Sequence, residues 1–226
     1  MPHSPLPLAQ MDLALADTRP KRVTLSPGAM LLRGFALPEA SELICTLHDI
    51  TQKTPFRTMM TPGGGKMSVG MTNCGALGWV TDRSGYRYTP TDPLNNQAWP
   101  PLPPAWQKLA TRSAEAAGFK GFHPNACLIN RYEPGTRMAL HQDKDEGDFS
   151  QPIVSVSLGL PISFLWGGLK RSTAPHAILL EHGDVLVWGG KARLHYHGVK
   201  PLADGLHPVT GRVRFNLTFR FVAPTD

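Results

Sequence analysis

The chain has 226 residues, 41% of them hydrophobic and 18% charged, with a formal net charge of +6. That length suits one domain with a substantial core, or a domain with a modest appendage, and the composition reads as soluble and globular. No apolar run approaches the ~20 residues of a membrane span, and the N-terminus shows no basic start followed by an apolar stretch, so neither a spanning helix nor a secretory signal is expected. The three cysteines (Cys45, Cys74, Cys127) form no CxxC pair and no even disulfide framework. They fit the reduced cytoplasm. The positive balance suits a polyanionic partner.

In chain order, residues 1–26 are Pro-rich and weakly patterned and read as an N-terminal arm. Residues 38–52 place Leu43, Ile44, Leu47 and Ile50 at helical spacing, with Pro38 suited to the first turn. Residues 54–101 are rich in Gly, Pro, Thr and Asn with short aromatic runs; so long an irregular or hairpin region inside a domain signals a functional loop or lid. A second helix is expected over 103–117, stopped by Gly118. From residue 125 the pattern changes to strands: 126–132, 152–158, 162–166, 177–181, 184–188, 193–199 and 212–222, punctuated by Gly, Pro and Asp-Gly. Many short strands in series suggest a β-sandwich or barrel.

The stretch LHQDKDE contains His141 and Asp143, two apart. In extended chain they point the same way and can reach one ion. A third ligand is offered by RLHYHGV, where His195 and His197 are also two apart, and spacing does not choose between them. Two imidazoles and a carboxylate with open positions suit non-heme Fe(II), although zinc is a rival on these ligands alone. The last strand, RVRFNLTFRFV, separates Val213, Phe215, Leu217, Phe219 and Phe221 from Arg212, Arg214, Asn216, Thr218 and Arg220. One face suits apolar core. The other is either an ordinary solvated face or a wall for a small dicarboxylate, since guanidinium binds carboxylate through paired charge-assisted hydrogen bonds. Leu128, Asn130 and Tyr132 share a face in the same manner. A 2-His-1-carboxylate set followed by an arginine row favours iron with 2-oxoglutarate over zinc hydrolysis.

The stretches FRTMMTPGGGKMSVGMTNCGALGWVTDRSGYRYTP, ACLINRYEPG, LHQDKDE, PIVSVSLGLP, FLWGGLKR, LLEHGDVLVWGG, YHGV and RFNLTFR together resemble the AlkB family of oxidative DNA and RNA dealkylases over residues 27–221. The resemblance implies a mainly β fold with flanking helices. Its core is a double-stranded β-helix (jelly roll, 125–222), with a nucleotide-recognition lid (55–101), inside a dioxygenase domain at 27–226. It assigns Fe(II) to His141, Asp143 and His197 and makes His195 a wall residue. It matches Arg214 and Arg220 to the 2-oxoglutarate arginines, with Asn130, Tyr132 and Asn216 in support. Arg220 is then expected to grip the far carboxylate, with Arg214 beside the site. Trp79 and Tyr86 match positions that meet the damaged nucleotide, Asp145 an acid near the base, and Arg171 a basic residue lining the substrate site. Gly65 stands where the family's bacterial members carry an aromatic, which implies a changed grip or substrate preference.

The implied reaction is demethylation of N-alkylated bases such as 1-methyladenine and 3-methylcytosine in single-stranded DNA. It consumes O2 and 2-oxoglutarate and releases formaldehyde, succinate and CO2. The alternatives are an RNA (tRNA) demethylase of the same chemistry and a non-catalytic nucleic-acid-binding or sensing module. The target atom lies on the Watson–Crick edge, so the base must be flipped out or already unpaired, and Trp79 and the His141 ring are expected to sandwich it. The expected assembly is a cytoplasmic monomer without membrane contact.

Overall fold

The computed structural model describes residues 18–223. Among these, β1 (Arg22–Ser26) and β2 (Ala29–Leu32) are followed by α1 (Ala40–Lys53). Then come β3 (Gly70–Gly75), β4 (Gly78–Asp82), β5 (Gly85–Thr89) and α2 (Pro104–Ala116). The remaining strands are β6 (Ala126–Tyr132), β7 (Met138–His141), β8 (Ile153–Gly159), β9 (Ile162–Trp166), β10 (His176–Leu180), β11 (Val185–Trp188), β12 (His197–Val199) and β13 (Arg214–Arg220).

A seven-stranded sheet runs β1-β2-β11-β8-β13-β6-β3 and a four-stranded sheet runs β10-β9-β12-β7, with β4 and β5 forming a separate hairpin. All these pairings are antiparallel. From β6 to β13 the chain passes repeatedly between the two sheets, which is the jelly-roll arrangement that the family resemblance implies. The period-2 pattern of the strands explains the layering. On β13, Phe215, Leu217 and Phe219 pack with Cys127, Ile129, Val154 and Val156, under the helix residues Leu43, Leu47, Trp106 and Leu109. The alternate residues of the large sheet face the small one, where Leu128, Tyr132, Ile153 and Trp188 meet Ile162, Phe164 and Trp166. The helices thus cover one face of the large sheet, and the site is built on the other.

Both helices lie where the apolar spacing places them. Gly118 ends α2 with φ +93°. Its N–H bonds the Glu115 carbonyl at 2.9 Å and the next N–H, of Phe119, bonds that of Ala114 at 2.9 Å, the paired bonds of a Schellman stop.

Three expectations shift. Residues 22–26, placed in the arm, form β1 and pair with β2, while residues 1–17 lie outside the described residues. The region 54–101 holds the hairpin β4–β5, but also β3, which pairs along β6 as the sheet's outer strand. The strand expected over 193–199 shortens to His197–Val199, because Gly190–Ala192 form a 3-10 turn. The buried Arg193 then bonds the Gln151 and Asp143 carbonyls instead of extending a ladder.

Candidate active site

The β7–β12 pairing sets His197 opposite His141, and Asp143 follows just beyond the end of β7. Gly198 permits this approach, since a Cβ there would lie 2.7 Å from the Met138 carbonyl oxygen. One ligand atom from each of His141, Asp143 and His197 lies within 4.8 Å of the others. Asp143 Oδ1 is 3.6 Å from His141 Nε2 and 3.8 Å from His197 Nε2. His141 Nδ1 sits 2.9 Å from the Ala139 carbonyl and His197 Nδ1 3.0 Å from that of His195. A carbonyl only accepts, so each Nδ1 donates, and in the neutral ring this leaves the Nε2 lone pair for an ion.

Electrostatics favour the same state. Burial first, then His141, pushes His197 down to about 4, so its imidazole is neutral near pH 7. Burial alone would raise the Asp143 carboxyl; Arg220, then His197 and His141, outweigh burial and hold it well below the usual carboxylate range. Two imidazoles, that of His197 neutral, and one ionised carboxylate are the donor set that suits Fe(II) with open positions. His195, expected in the wall, stands apart. Its Nδ1 donates to the Gly167 carbonyl at 2.9 Å, its ring stacks on Trp166 at 5.0 Å, and it does not line the cavity.

Beside the metal group, the polar face of β13 is buried rather than solvated: Arg214, Thr218 and Arg220 are each enclosed. Arg212 is not part of this wall; it is exposed and pairs with Asp204 at 2.7 Å. Asn216 donates to Ser155 Oγ at 2.7 Å, Thr218 Oγ1 donates to Asn216 Oδ1 at 2.8 Å, and Asn130 lies across the β6–β13 ladder from Asn216.

The two arginines differ. Arg220 donates to Asp143 Oδ2 at 2.7 Å and pairs with Glu146 at 3.2 Å. Arg214 donates to Ser157 Oγ at 2.7 Å and the Leu160 carbonyl at 3.3 Å, and makes no ion pair among the described residues. Its Nε has no partner, and neither has Asn130 Oδ1. Burial lowers Arg214 to about 10, against the opposing pull of Tyr132 and of Asp184, so it stays charged at neutral pH. Tyr132 is itself pushed up to about 12, by burial foremost. The expectation that Arg220 grips the far carboxylate therefore does not fit. Its Nε and Nη2 are committed to Asp143 and Glu146, leaving Nη1 without a partner, and Arg214 is the buried cation that has no ion pair among the described residues.

A cavity of about 460 Å³ is lined by the residues expected at the metal, co-substrate and nucleotide positions: His141, Asp143 and His197; Asn130, Tyr132, Arg214, Asn216 and Arg220; and Trp79, Tyr86, Asp145 and Arg171. Trp79 stacks on Tyr86 across the hairpin, centroids 5.7 Å apart, and its Nε1 donates to Asp145 Oδ2 at 2.9 Å. Its backbone is clamped by Asn73, which accepts from the Trp79 N–H and donates to its carbonyl, both at 3.0 Å. Arg171 lies over the Tyr196 ring, 5.8 Å from its centroid. Gly65 lies in an exposed turn, outside the cavity lining, where an added Cβ would meet only Thr61 Oγ1, at 3.2 Å. Sequence reasoning missed Glu146, Arg193, Tyr88 and Ser157. A charged residue beside the HxD motif was the one available signal, in Glu146; the others depend on tertiary contact.

The donor set and the lone buried cation, in one cavity, fit Fe(II) and a small dicarboxylate. The comparisons with known proteins agree. The model of the 2OG-Fe(II) oxygenase superfamily matches residues 28–220. The chain is 56% identical over 210 residues to the alpha-ketoglutarate-dependent dioxygenase AlkB of Escherichia coli K12, covering 93% of this chain and 97% of that protein. It is 37% identical over 133 residues to the nucleic acid dioxygenase ALKBH1 of Mus musculus, covering 57% of this chain and 34% of that protein. The solved structure of OsALKBH1 superposes with a TM-score of 0.77 at 28% identity, covering 88% of this chain and 99% of that one. The chain belongs to the AlkB family of the 2OG-Fe(II) oxygenase superfamily, and is a dioxygenase that uses Fe(II), 2-oxoglutarate and O2.

Proposed function

We propose that the enzyme oxidatively demethylates N-alkylated bases, of the 1-methyladenine and 3-methylcytosine type, in single-stranded DNA and so repairs alkylation damage. The observation that carries this reading is the meeting of three features in one cavity: the His141–Asp143–His197 group, the unpaired cation of Arg214, and an aromatic and acidic mouth of Trp79, Tyr86 and Asp145. The nucleic acid activity named for the mouse relative supports the substrate class.

His141, Asp143 and His197 hold the iron, which with O2 and 2-oxoglutarate supplies oxidation of the N-methyl group, releasing formaldehyde, succinate and CO2. Arg214 receives the far carboxylate of 2-oxoglutarate, with the Tyr132 phenol and the Asn130 amide beside it. Arg220 keeps Asp143 ionised and oriented. The hairpin β4–β5 acts as the lid over the cavity: Trp79 and Tyr86 offer π surface to an unstacked base, and Asp145 favours the cationic methylated form. Arg171, at the rim, suits a phosphate. No helix among the described residues is long and apolar enough to cross a membrane. We read the enzyme as a cytoplasmic monomer.

The test is incubation of 1-methyladenine and 3-methylcytosine oligonucleotides with Fe(II) and 2-oxoglutarate, with RNA of the same sequence in competition, read by mass spectrometry and formaldehyde release. Restored bases in single-stranded DNA are expected. Succinate formation without base restoration overturns the substrate assignment, and preferential turnover of RNA moves it to RNA.

A further inference from the structure

Two acids and two arginines lie buried together beside the metal group: Asp143, Glu146, Arg193 and Arg220. Glu146 is the hub. Its Oε2 accepts from Arg193 Nη2 at 2.9 Å, and its Oε1 lies 3.2 Å from Arg220 Nε. The same Oε1 accepts from the Tyr88 hydroxyl at 3.0 Å. Arg193 also donates to the Asp143 backbone carbonyl at 2.6 Å, so it ties the loop bearing the metal-site carboxylate to Glu146. The four charges cancel in pairs, which makes so buried a cluster tolerable.

Tyr88 brings in a different part of the molecule. It lies on β5 directly opposite Trp79 on β4. Trp79 lines the cavity, and the phenol of its cross-strand neighbour reaches Glu146. A continuous path of hydrogen bonds and ion pairs therefore runs from the hairpin through Tyr88, Glu146 and Arg220 to Asp143 Oδ2. A second branch runs through Arg193 to the Asp143 backbone. Neither Tyr88 nor Glu146 is needed as a ligand to iron or 2-oxoglutarate, yet burying a carboxylate is costly unless its bonds are kept.

We propose that Tyr88 and Glu146 are positioning residues that couple engagement of the hairpin by nucleic acid to the seating of the metal-site carboxylate, Asp143. The proposal rests on the reading of the hairpin as the nucleic-acid lid. If the hairpin settles on a nucleotide, Tyr88 moves with Trp79, and Glu146 passes that displacement to Arg220, the one side chain among the described residues that hydrogen-bonds Asp143 Oδ2. Coupling of this kind is reciprocal: whatever loading the iron site does to nucleic-acid affinity, nucleic acid does to the loaded site by the same factor.

The test measures the dissociation constant of a fluorescent 3-methylcytosine oligonucleotide under anaerobic conditions. It compares metal-free protein with protein holding Fe(II) and 2-oxoglutarate, in wild type, Tyr88→Phe and Glu146→Gln. The ratio of the two constants is the coupling factor. Wild type is expected to bind more tightly when loaded, and both variants to bring the ratio ~3-fold or more closer to unity. A merely structural role weakens both constants together and leaves the ratio alone. Tyr88→Phe keeps the ring and removes only the hydroxyl link, so it decides the matter even if Glu146→Gln does not fold. A wild-type ratio of one, or an unchanged ratio in Tyr88→Phe, overturns the proposal while leaving the substrate reading intact. Absence of oligonucleotide binding in both states overturns the substrate reading and this proposal with it.

Discussion

Arg220 donates twice to a single oxygen of Asp143, from Nη2 at 2.7 Å and Nε at 3.2 Å, both to Oδ2. The other oxygen, Oδ1, is left toward His141 and His197. One guanidinium thus decides which carboxylate oxygen an ion meets.

Arg220→Ala leaves Asp143 and Glu146 short of a cation in a buried site. Metal-free protein should lose about 3–5 kcal/mol in urea unfolding, the range for breaking a buried pair. Added Co(II) should recover part of that loss, because the ion supplies positive charge to Asp143. Equal losses with and without Co(II) would mean that Arg220 does not serve the metal site.

Arg214→Ala should act on the co-substrate instead. Loss of a charge-assisted bond of about 1.5–3 kcal/mol corresponds to a ~10- to 150-fold rise in the KM for 2-oxoglutarate. Metal affinity should change little. If Arg220→Ala raises that KM more than Arg214→Ala does, the two arginines have been assigned the wrong way round.

Trp79→Ala should weaken methylated oligonucleotide binding by ~5- to 150-fold, from the ~1–3 kcal/mol of base–aromatic stacking. Trp79→Phe retains a stacking face but removes the donor to Asp145. It should fall between the two, with the 2-oxoglutarate KM unchanged. Fluorescence anisotropy of labelled oligonucleotides reads the difference.

Metal removal by a chelator should abolish turnover, and Fe(II) should restore it. Ni(II), Cu(II) and Zn(II) should compete for the His141–Asp143–His197 group and inhibit, Cu(II) at the lowest concentration, following the divalent affinity order. Activity sustained by Zn(II) alone would contradict iron chemistry.

His182 and His207 pack with ring centroids 4.5 Å apart, and their Nδ1 atoms accept backbone N–H bonds from Gly159 and from Val209 and Thr210. Burial, then the neighbouring His207, lowers His182, and burial lowers His207, both from an ordinary value of 6.5. A group so depressed binds more protons unfolded than folded, so its stabilisation is present above that value and lost as pH falls below it. The melting temperature of metal-free protein should therefore fall between about pH 7 and 5, and His207→Gln should flatten that slope.

Much of this was legible in the primary structure, because strand periodicity is local. The alternation of Phe215, Leu217 and Phe219 with Arg214, Asn216 and Arg220 survives intact as a sheet with one face under helices and the other lining a cavity. The helical spacing of Leu43, Ile44, Leu47 and Ile50 likewise predicts the face α1 buries. Residues 193–196 carry a strand-like pattern yet form no ladder, because the 3-10 turn at Gly190–Ala192 and the anchored Arg193 turn the chain.

By itself the sequence determined the candidate metal residues, the polar wall and, through motif resemblance, the family. Spacing left His195 and His197 equivalent, since both are donors two apart. The β7–β12 register brought only His197 to His141, and sent His195 to Trp166. The division of labour between Arg214 and Arg220 was equally hidden. Both sit on one face of one strand, and only the loop carrying Asp143 and Glu146 gives one of them a paired anion and, among the described residues, leaves the other without an ion pair. Charge pairing is set by distance through space, and no periodicity along the chain encodes which loop will fold back onto which guanidinium.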